Sequence, residues 1–466
     1  MLLVTATLMA ACSGLANTPT APDSPEASAP TPAVASPSAG PTAAPPPIRI
    51  GVALPLSGAL AGLAGQESLG IRIAADLVNA DGGVGGRPID LDVRDLESAD
   101  GAPAVMAAFK AEGASVVIGA YSSDLSIPAS SAAAADGLVY WEGGAEADQL
   151  TGRGLPLVFR VGASGANLGT NSADFAATAL APRLGEAASA VRVAIVAAKD
   201  PYASSVADAA QQTATAAGMP IVARQDYDVG LPVWPVIMAD LKAARPDIII
   251  LASHIPDGIA FRQAQLAAGL TVKALIGSTM AECDPDFAGD LGADAIGIFA
   301  SDRPTGGFQP DALDPAARAT YDRLAAEWAR LGPAAVTSPS SSAEPWPSTD
   351  AEYPLTGPDL TAVPATTPTE EGLSGFTAGW ALFHDVLPVA GSLDPSGIAA
   401  AARTLDLPTG SLPNGAGLRF SSSADTLGQN QLAAAVIWQW QAVRTYTFVW
   451  PSTYATGNIA FVPLPR

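Results

Sequence analysis

The sequence predicts an α/β protein made of two doubly wound parallel-sheet lobes. Two observations carry this. Continuous apolar runs such as IIILA at 248–252 read as strands covered on both faces, and such runs alternate with helical stretches twice along the chain. The first unit is the most explicit. Ile48, Ile50, Val52 and Leu54 have strand spacing, Ile71, Ala74, Ala75 and Val78 recur at helical spacing, and Gly82 and Gly83 end the helix.

Further strands are expected at 89–94, 115–120, 138–141 and 157–161, with helices at 102–112 and 125–136 between them. A second set of strands follows at 192–197, 221–225, 247–253, 272–276 and 295–300, with helices at 203–217, 233–244 and 258–268. The break between lobes is placed near 162–165. Lobe 1 is expected to hold 48–163 and 301–432, including helices at 315–331 and 375–389. Lobe 2 is expected to hold 164–300 and 433–466. Segment 332–371 is rich in Pro, Ser and Thr and reads as an insertion without a core of its own.

Length and charge limit the functions available. A chain of 466 residues can bury two cores of ordinary size. With 23 Lys+Arg against 45 Asp+Glu and a net charge of -22, it lacks the basic face that nucleic acid requires. Only two histidines occur, His254 and His384, and there is no P-loop, G-x-S-x-G elbow or H-E-x-x-H pair, so neither an enzyme nor a cofactor or metal is expected. Glu142 with Glu146 would mimic a hydrolase pair, but two lobes around a cleft explain these residues more simply.

The apolar start MLLVTATLMAA leads into Cys12-Ser13-Gly14 and reads as a secretory signal ending in a lipoprotein cleavage box, Leu8 to Ala11, with Cys12 lipidated. The positively charged start of such a signal is missing, so a start further upstream is expected. Residues 13–47 are Pro, Ser, Thr and Ala with few large apolar side chains and should form a disordered tether to the membrane. Cys283 is the other cysteine, so no internal disulfide is expected once Cys12 is acylated.

Pro55-Leu56-Ser57-Gly58 and Asn79-Ala80-Asp81-Gly82-Gly83-Val84-Gly85-Gly86 stand where type I periplasmic solute-binding proteins of ABC importers, the leucine/isoleucine/valine-binding branch, carry P-L-[ST]-G and N-A-x-G-G-[IV]-x-G. The chain resembles that family from 48 to about 300, then again at 375 and at 415–420 (GAGLRF). The resemblance implies a multi-strand hinge, with strand 433–439 (AAAVIWQ) crossing back to lobe 2. It also implies a small polar metabolite held in the interlobe cleft, an ABC permease as partner, no nucleic acid, and a monomer. A sensory receptor domain that reads the same closure is the alternative.

In open α/β sheets, ligands sit beyond the carboxyl ends of the strands. Ser122 and Ser123 follow a strand and open a helix, where hydroxyls and free N–H groups cap the helix or hold an anion. Resemblance matches Ser123 to a serine that holds the ligand carboxylate, Gly144 to a ligand-binding carbonyl and Glu146 to a threonine. With Ala145 and Ser57 they form the lobe 1 candidates. Glu146 could meet an ammonium or guanidinium, or point to water. In lobe 2, Tyr202 matches a cleft tyrosine and His254 replaces a second aromatic; each could contact ligand or cap the next helix. Thr279 stands where amino-acid binders carry a glutamate for the α-ammonium, so Glu282 or Glu146 is the substitute to examine.

Overall fold

The computed structural model describes residues 45–279, 282, 285–336, 367–443 and 445–465. Cys12, nearly all of the expected tether, Cys283 and the middle of the 332–371 segment lie outside them. No described helix is long and apolar enough to cross a membrane.

Lobe 1 is a five-stranded parallel sheet: β1 (Ile48–Leu54), β2 (Ile89–Asp95), β3 (Val116–Gly119), β4 (Val139–Glu142) and β5 (Val158–Arg160), in the order β2-β1-β3-β4-β5. Helices α1 (Ala61–Ala80), α2 (Ala102–Ala111) and α3 (Ser123–Asp136) connect the strands. They cover both faces. Met106, Phe109 and Leu125 pack with Val117 and Tyr140 on one face, while Ile71, Ala74 and Val78 pack with Val52 and Ile118 on the other. Sheets covered in this way need apolar residues at successive positions, which explains the unbroken burial of β3 and β4.

The chain then enters lobe 2 through α4 (Gly165–Phe175) and α5 (Ala181–Arg183). Strands β6 (Val193–Ala198), β7 (Ile221–Tyr227), β8 (Ile248–Ala252), β9 (Ala274–Ser278) and β10 (Phe299–Asp302) alternate with α6 (Pro201–Ala216), α7 (Trp234–Ala244), α8 (Ile255–Ala268) and α9 (Pro285–Leu291). After β10 the chain returns to lobe 1 with α10 (Pro315–Val336), α11 (Glu370–Trp380) and α12 (Pro395–Thr404). It crosses a third time into β11 (Val436–Ala442) and β12 (Thr445–Trp450), which complete a seven-stranded sheet ordered β12-β11-β10-β9-β8-β6-β7. The last two strands run antiparallel, a feature that apolar runs alone do not reveal.

Three differences from the sequence reading have simple causes. The segment read as an insertion over 332–371 is helical at both described ends, because α10 runs on to Val336 and α11 begins at Glu370 behind a Thr369 cap. Residues 433–435 are the crossing itself, and pairing with β10 starts only at Val436. β10 reaches Asp302 in the lobe 2 sheet, past the expected boundary at 300.

Helix α11 packs against α1 at glycine-lined distance. A Cβ on Gly70 would lie 2.1 Å from the Gly372 carbonyl oxygen and 2.7 Å from the Phe376 nitrogen, both backbone atoms that cannot turn aside. This approach buries Glu67 and brings Glu370 and Ser374 to the upper edge of the lobe 1 sheet. Overpacked cores lose about 1–3 kcal/mol. Gly70→Ala is therefore expected to lower the urea-unfolding free energy by at least that range, whereas Gly62→Ala, with open space around it, should change it little.

Candidate ligand-binding site

The carboxyl ends of the strands in the two lobes face each other. Asp148 donates its backbone N–H to Ser205 Oγ across the lobes at 3.0 Å, placing the loop after β4 against the start of α6. Asp124, in the first turn of α3, has its pKa raised by partial burial, then by Asp200; His254 opposes. Both neighbours belong to lobe 2. The lobe 1 candidates Ser57, Ser122, Ser123, Gly144, Ala145 and Glu146 follow β1, β3 and β4, and the lobe 2 candidates Tyr202, His254, Thr279 and Glu282 follow β6, β8 and β9.

On lobe 1, Ser122 is the N-cap residue of α3 and Ser123 its first helical residue. The first N–H groups of a helix lack intrahelical partners and carry the positive end of its dipole. Ser123 Oγ accepts the N–H groups of Glu146 and Ala147 at 3.2 and 3.0 Å and keeps its own proton to donate. Ser57 Oγ is buried without a hydrogen-bond partner among the described residues.

The shape of the β4 loop is set by Glu142. Its carboxylate accepts from Ser126 Oγ at 2.6 Å, the Tyr140 hydroxyl at 3.1 Å, and the N–H groups of Gly144 and Ala145 at 2.8 and 2.9 Å. With its oxygens engaged, Glu142 is a scaffold for the loop.

Glu146 meets a guanidinium of the protein itself. Arg303, just after β10, puts Nε 3.2 Å from Glu146 Oε1 and donates from Nη1 to the Gly144 carbonyl at 2.7 Å, while Nη2 pairs with Glu370. Asp302 lies on the same group, with Oδ1 3.9 Å from Nε. One cation is thus buried among three carboxylates, an arrangement that burial makes costly unless protons are taken up. Burial pushes Glu146 up to about 8 against the pull of Arg303. It holds Asp302 well above its ordinary range, with Glu370 adding to the effect. Burial alone would lower the Arg303 pKa, but Glu370, Glu146 and Asp302 outweigh it and keep the guanidinium charged. Glu67, fully buried beside Gly144, is likewise raised by burial and by the charge of Glu142.

On lobe 2, the Tyr202 hydroxyl donates to the Ser278 carbonyl at 2.5 Å, and the ring meets His254 edge-on at 5.6 Å. His254 Nε2 lies 2.8 Å from Asp200 Oδ2. Hydrogen bonding and charge from Asp200 raise the His254 pKa against the opposing effect of burial. Thr279 is buried at φ 37° and Tyr121, before α3, at φ 67°, so each lobe carries a non-glycine residue in the left-handed region at this edge. Such strain concentrates at ligand clamps. Glu282 is fully buried, lies over Gly277 in space that a Cβ there would occupy, and has neither carboxyl oxygen hydrogen-bonded among the described residues. Burial drives its pKa well above the ordinary carboxylate value, disfavouring the charged form.

Sequence reasoning missed Arg303, Glu370, Glu67 and Tyr121. Arg303 stands at the carboxyl end of a strand, the criterion that singled out the others, and could have been found by applying it to β10. Glu67 and Glu370 sit inside helices, and only the α1–α11 packing brings them to the loop.

Two α/β lobes with three chain crossings and facing strand ends define a hinged binding protein. The comparisons agree: residues 47–349 match the periplasmic binding protein family, and the chain belongs to it. Its members are substrate-binding proteins rather than enzymes. A Leu/Ile/Val-binding protein homolog 8 from Brucella abortus (strain 2308) is 27% identical over 415 residues, spanning 89% of this chain and 93% of that protein. The fold is shared with an ABC transporter substrate-binding protein from Desulfitobacterium hafniense in complex with Leu (TM-score 0.63, 22% identity, 86% of this chain and 99% of that one). It is also shared with a solute-binding protein from R. palustris in complex with benzoate (TM-score 0.62, 18% identity, 90% and 99%).

The acid cluster has a pH signature. Glu146 has an ordinary value of 4.5 and is raised to about 8, so its contribution to stability is complete below about 4.5 and is lost as pH rises toward 8. The calorimetric melting temperature should fall between pH 5 and pH 8. In Glu146→Gln it should fall less, by the equivalent of a few kcal/mol at most; parallel curves for the two proteins would remove Glu146 from the effect.

Proposed function

We propose that this protein is an extracytoplasmic solute-binding component of an ABC importer, which closes its lobes on a small carboxylate-bearing metabolite, an amino acid or related compound, and delivers it to a permease. The observation that carries the reading is the start of α3. Ser123 keeps a hydroxyl proton there beside first-turn N–H groups, on the edge of lobe 1 that faces Tyr202 and His254 of lobe 2. A helix start of this kind favours an anion. The two ligands named for the structural neighbours, leucine and benzoate, have a carboxylate in common.

Family membership supports an extracytoplasmic site of action. The lipidated Cys12 and the tether 13–47 would hold the binding lobes at the membrane within reach of the permease. In this reading the ligand contacts come from Ser122 and Ser123 for the carboxylate and from Tyr202, His254 and Thr279 for closure. Ligand binds the closed form more tightly, and a preference of about 10⁴-fold converts a 1:99 mixture to 99:1.

Removing a hydrogen bond to a charged group costs about 1.5–3 kcal/mol. Ser123→Ala should therefore weaken the ligand found by calorimetric titration by roughly 10- to 100-fold, while leaving the melting temperature of the free protein within a few degrees. Equal affinities would move the anion site elsewhere.

A further inference from the structure

The loop after β4 is the part of lobe 1 where a ligand cation would find oxygen acceptors, and the protein already uses them. The Gly143 carbonyl accepts Ser374 Oγ at 2.9 Å, and Gly144 accepts Arg303 Nη1 at 2.7 Å. The Ala145 carbonyl accepts Arg160 Nη1 at 3.2 Å, Glu146 accepts the Gly165 N–H at 2.6 Å, and Ala147 accepts Arg160 Nη1 at 2.7 Å. The Glu146 carboxyl lies against Arg303 Nε. Both arginines are buried, at 1% exposure for Arg160 and 5% for Arg303, so water does little to screen them.

A ligand ammonium seated on the Gly144 carbonyl would share that oxygen with a fixed guanidinium. Of the lobe 2 acids, Asp257 in the first turn of α8 keeps one carboxyl oxygen without a hydrogen bond among the described residues, but it stands beside His254 and Asp200 and not on the loop after β4. Glu282 is buried with neither carboxyl oxygen hydrogen-bonded among the described residues, a setting that disfavours its charged form. Asp200 is committed to His254 at 2.8 Å.

We infer that the cleft selects carboxylates that carry no ammonium group beside the carboxylate, with Arg303 as the specificity-determining residue. Arg303 fills, from within the chain, the seat that an α-ammonium would need, so a desamino acid binds with nothing displaced, whereas an amino acid must push aside a buried guanidinium or leave its own ammonium unpaired. The inference rests on the binding-protein reading above and narrows its ligand class.

The test uses matched pairs that differ only in the amino group: leucine with 4-methylpentanoate, phenylalanine with 3-phenylpropanoate, and alanine with propanoate, each titrated calorimetrically against the protein. In every pair that binds, the desamino member should be at least about tenfold tighter. Arg303→Gln, which frees Gly144 and Glu146, should reduce that ratio at least about tenfold. Where Arg303→Gln does not fold, Arg303→Lys serves, because an ammonium lacks the planar fork that lets the guanidinium span Gly144, Glu146 and Glu370 together, and the ratio should again fall. Amino acids binding as tightly as their partners would overturn the inference and leave the binding-protein reading standing. A ratio unchanged in the folded variant would remove Arg303 as its determinant. If no member of any pair binds, both the inference and the carboxylate reading fail together.

Discussion

Where the chain returns from lobe 2 to lobe 1 it buries one guanidinium, and much of the upper face of lobe 1 is arranged around it. Arg303 reaches the β4 loop through Gly144 and Glu146 and reaches α11 through Glu370. It therefore ties a hinge crossing to the loop that also receives Ser123. A buried cation of this kind holds its partners in register because each would cost free energy if left unpaired. The fork geometry of arginine, which lysine lacks, lets one side chain serve three acceptors.

The crossings are laced in the same manner. Asn430, just before the third crossing, donates from Nδ2 to the Val161 carbonyl at 3.0 Å, and Gln429 donates from Nε2 to the Gly162 carbonyl at 3.1 Å. The first and third crossings thus share side-chain hydrogen bonds, while the Gly165 N–H on the first crossing bonds to Glu146 at the edge of the cleft. Parallel connections favour bending over other relative motions, and these contacts lie next to the loops at the carboxyl ends of the lobe 1 strands.

Much of the lobe architecture was legible because it depends on local pattern. β8, the IIILA run, is buried at every position, and β1, read from the spacing of its apolar residues, is buried at every position but Arg49. β12 was not legible: TYTFVW is half-buried and pairs antiparallel at a sheet edge, so its apolar count is lower and its partner lies beyond a turn. The site divides in the same way. Ser123 and Tyr202 could be picked out because a strand end followed by a helix start is a local event. The fate of Glu146 could not, because its partner Arg303 lies 157 positions away along the chain and the two meet only through the return crossing. Glu282 shows the converse: its identity suggested a charge for an ammonium, and its burial over Gly277 raises its pKa well above the ordinary carboxylate range.

The chemistry of the cleft follows from this division of labour. Lobe 1 presents the positive start of α3 with a serine proton to donate, and its acidic groups are turned inward onto Arg303 and Arg160. Lobe 2 presents Tyr202 and His254, joined through ring contact and braced by Ser278 and Asp200. The most direct measurement is a crystal structure of the protein with its tightest-binding ligand. The account predicts a ligand carboxylate within hydrogen-bond distance of Ser123 Oγ at the start of α3, with Arg303 still on the Gly144 carbonyl. A ligand ammonium on that carbonyl with Arg303 swung away would contradict it.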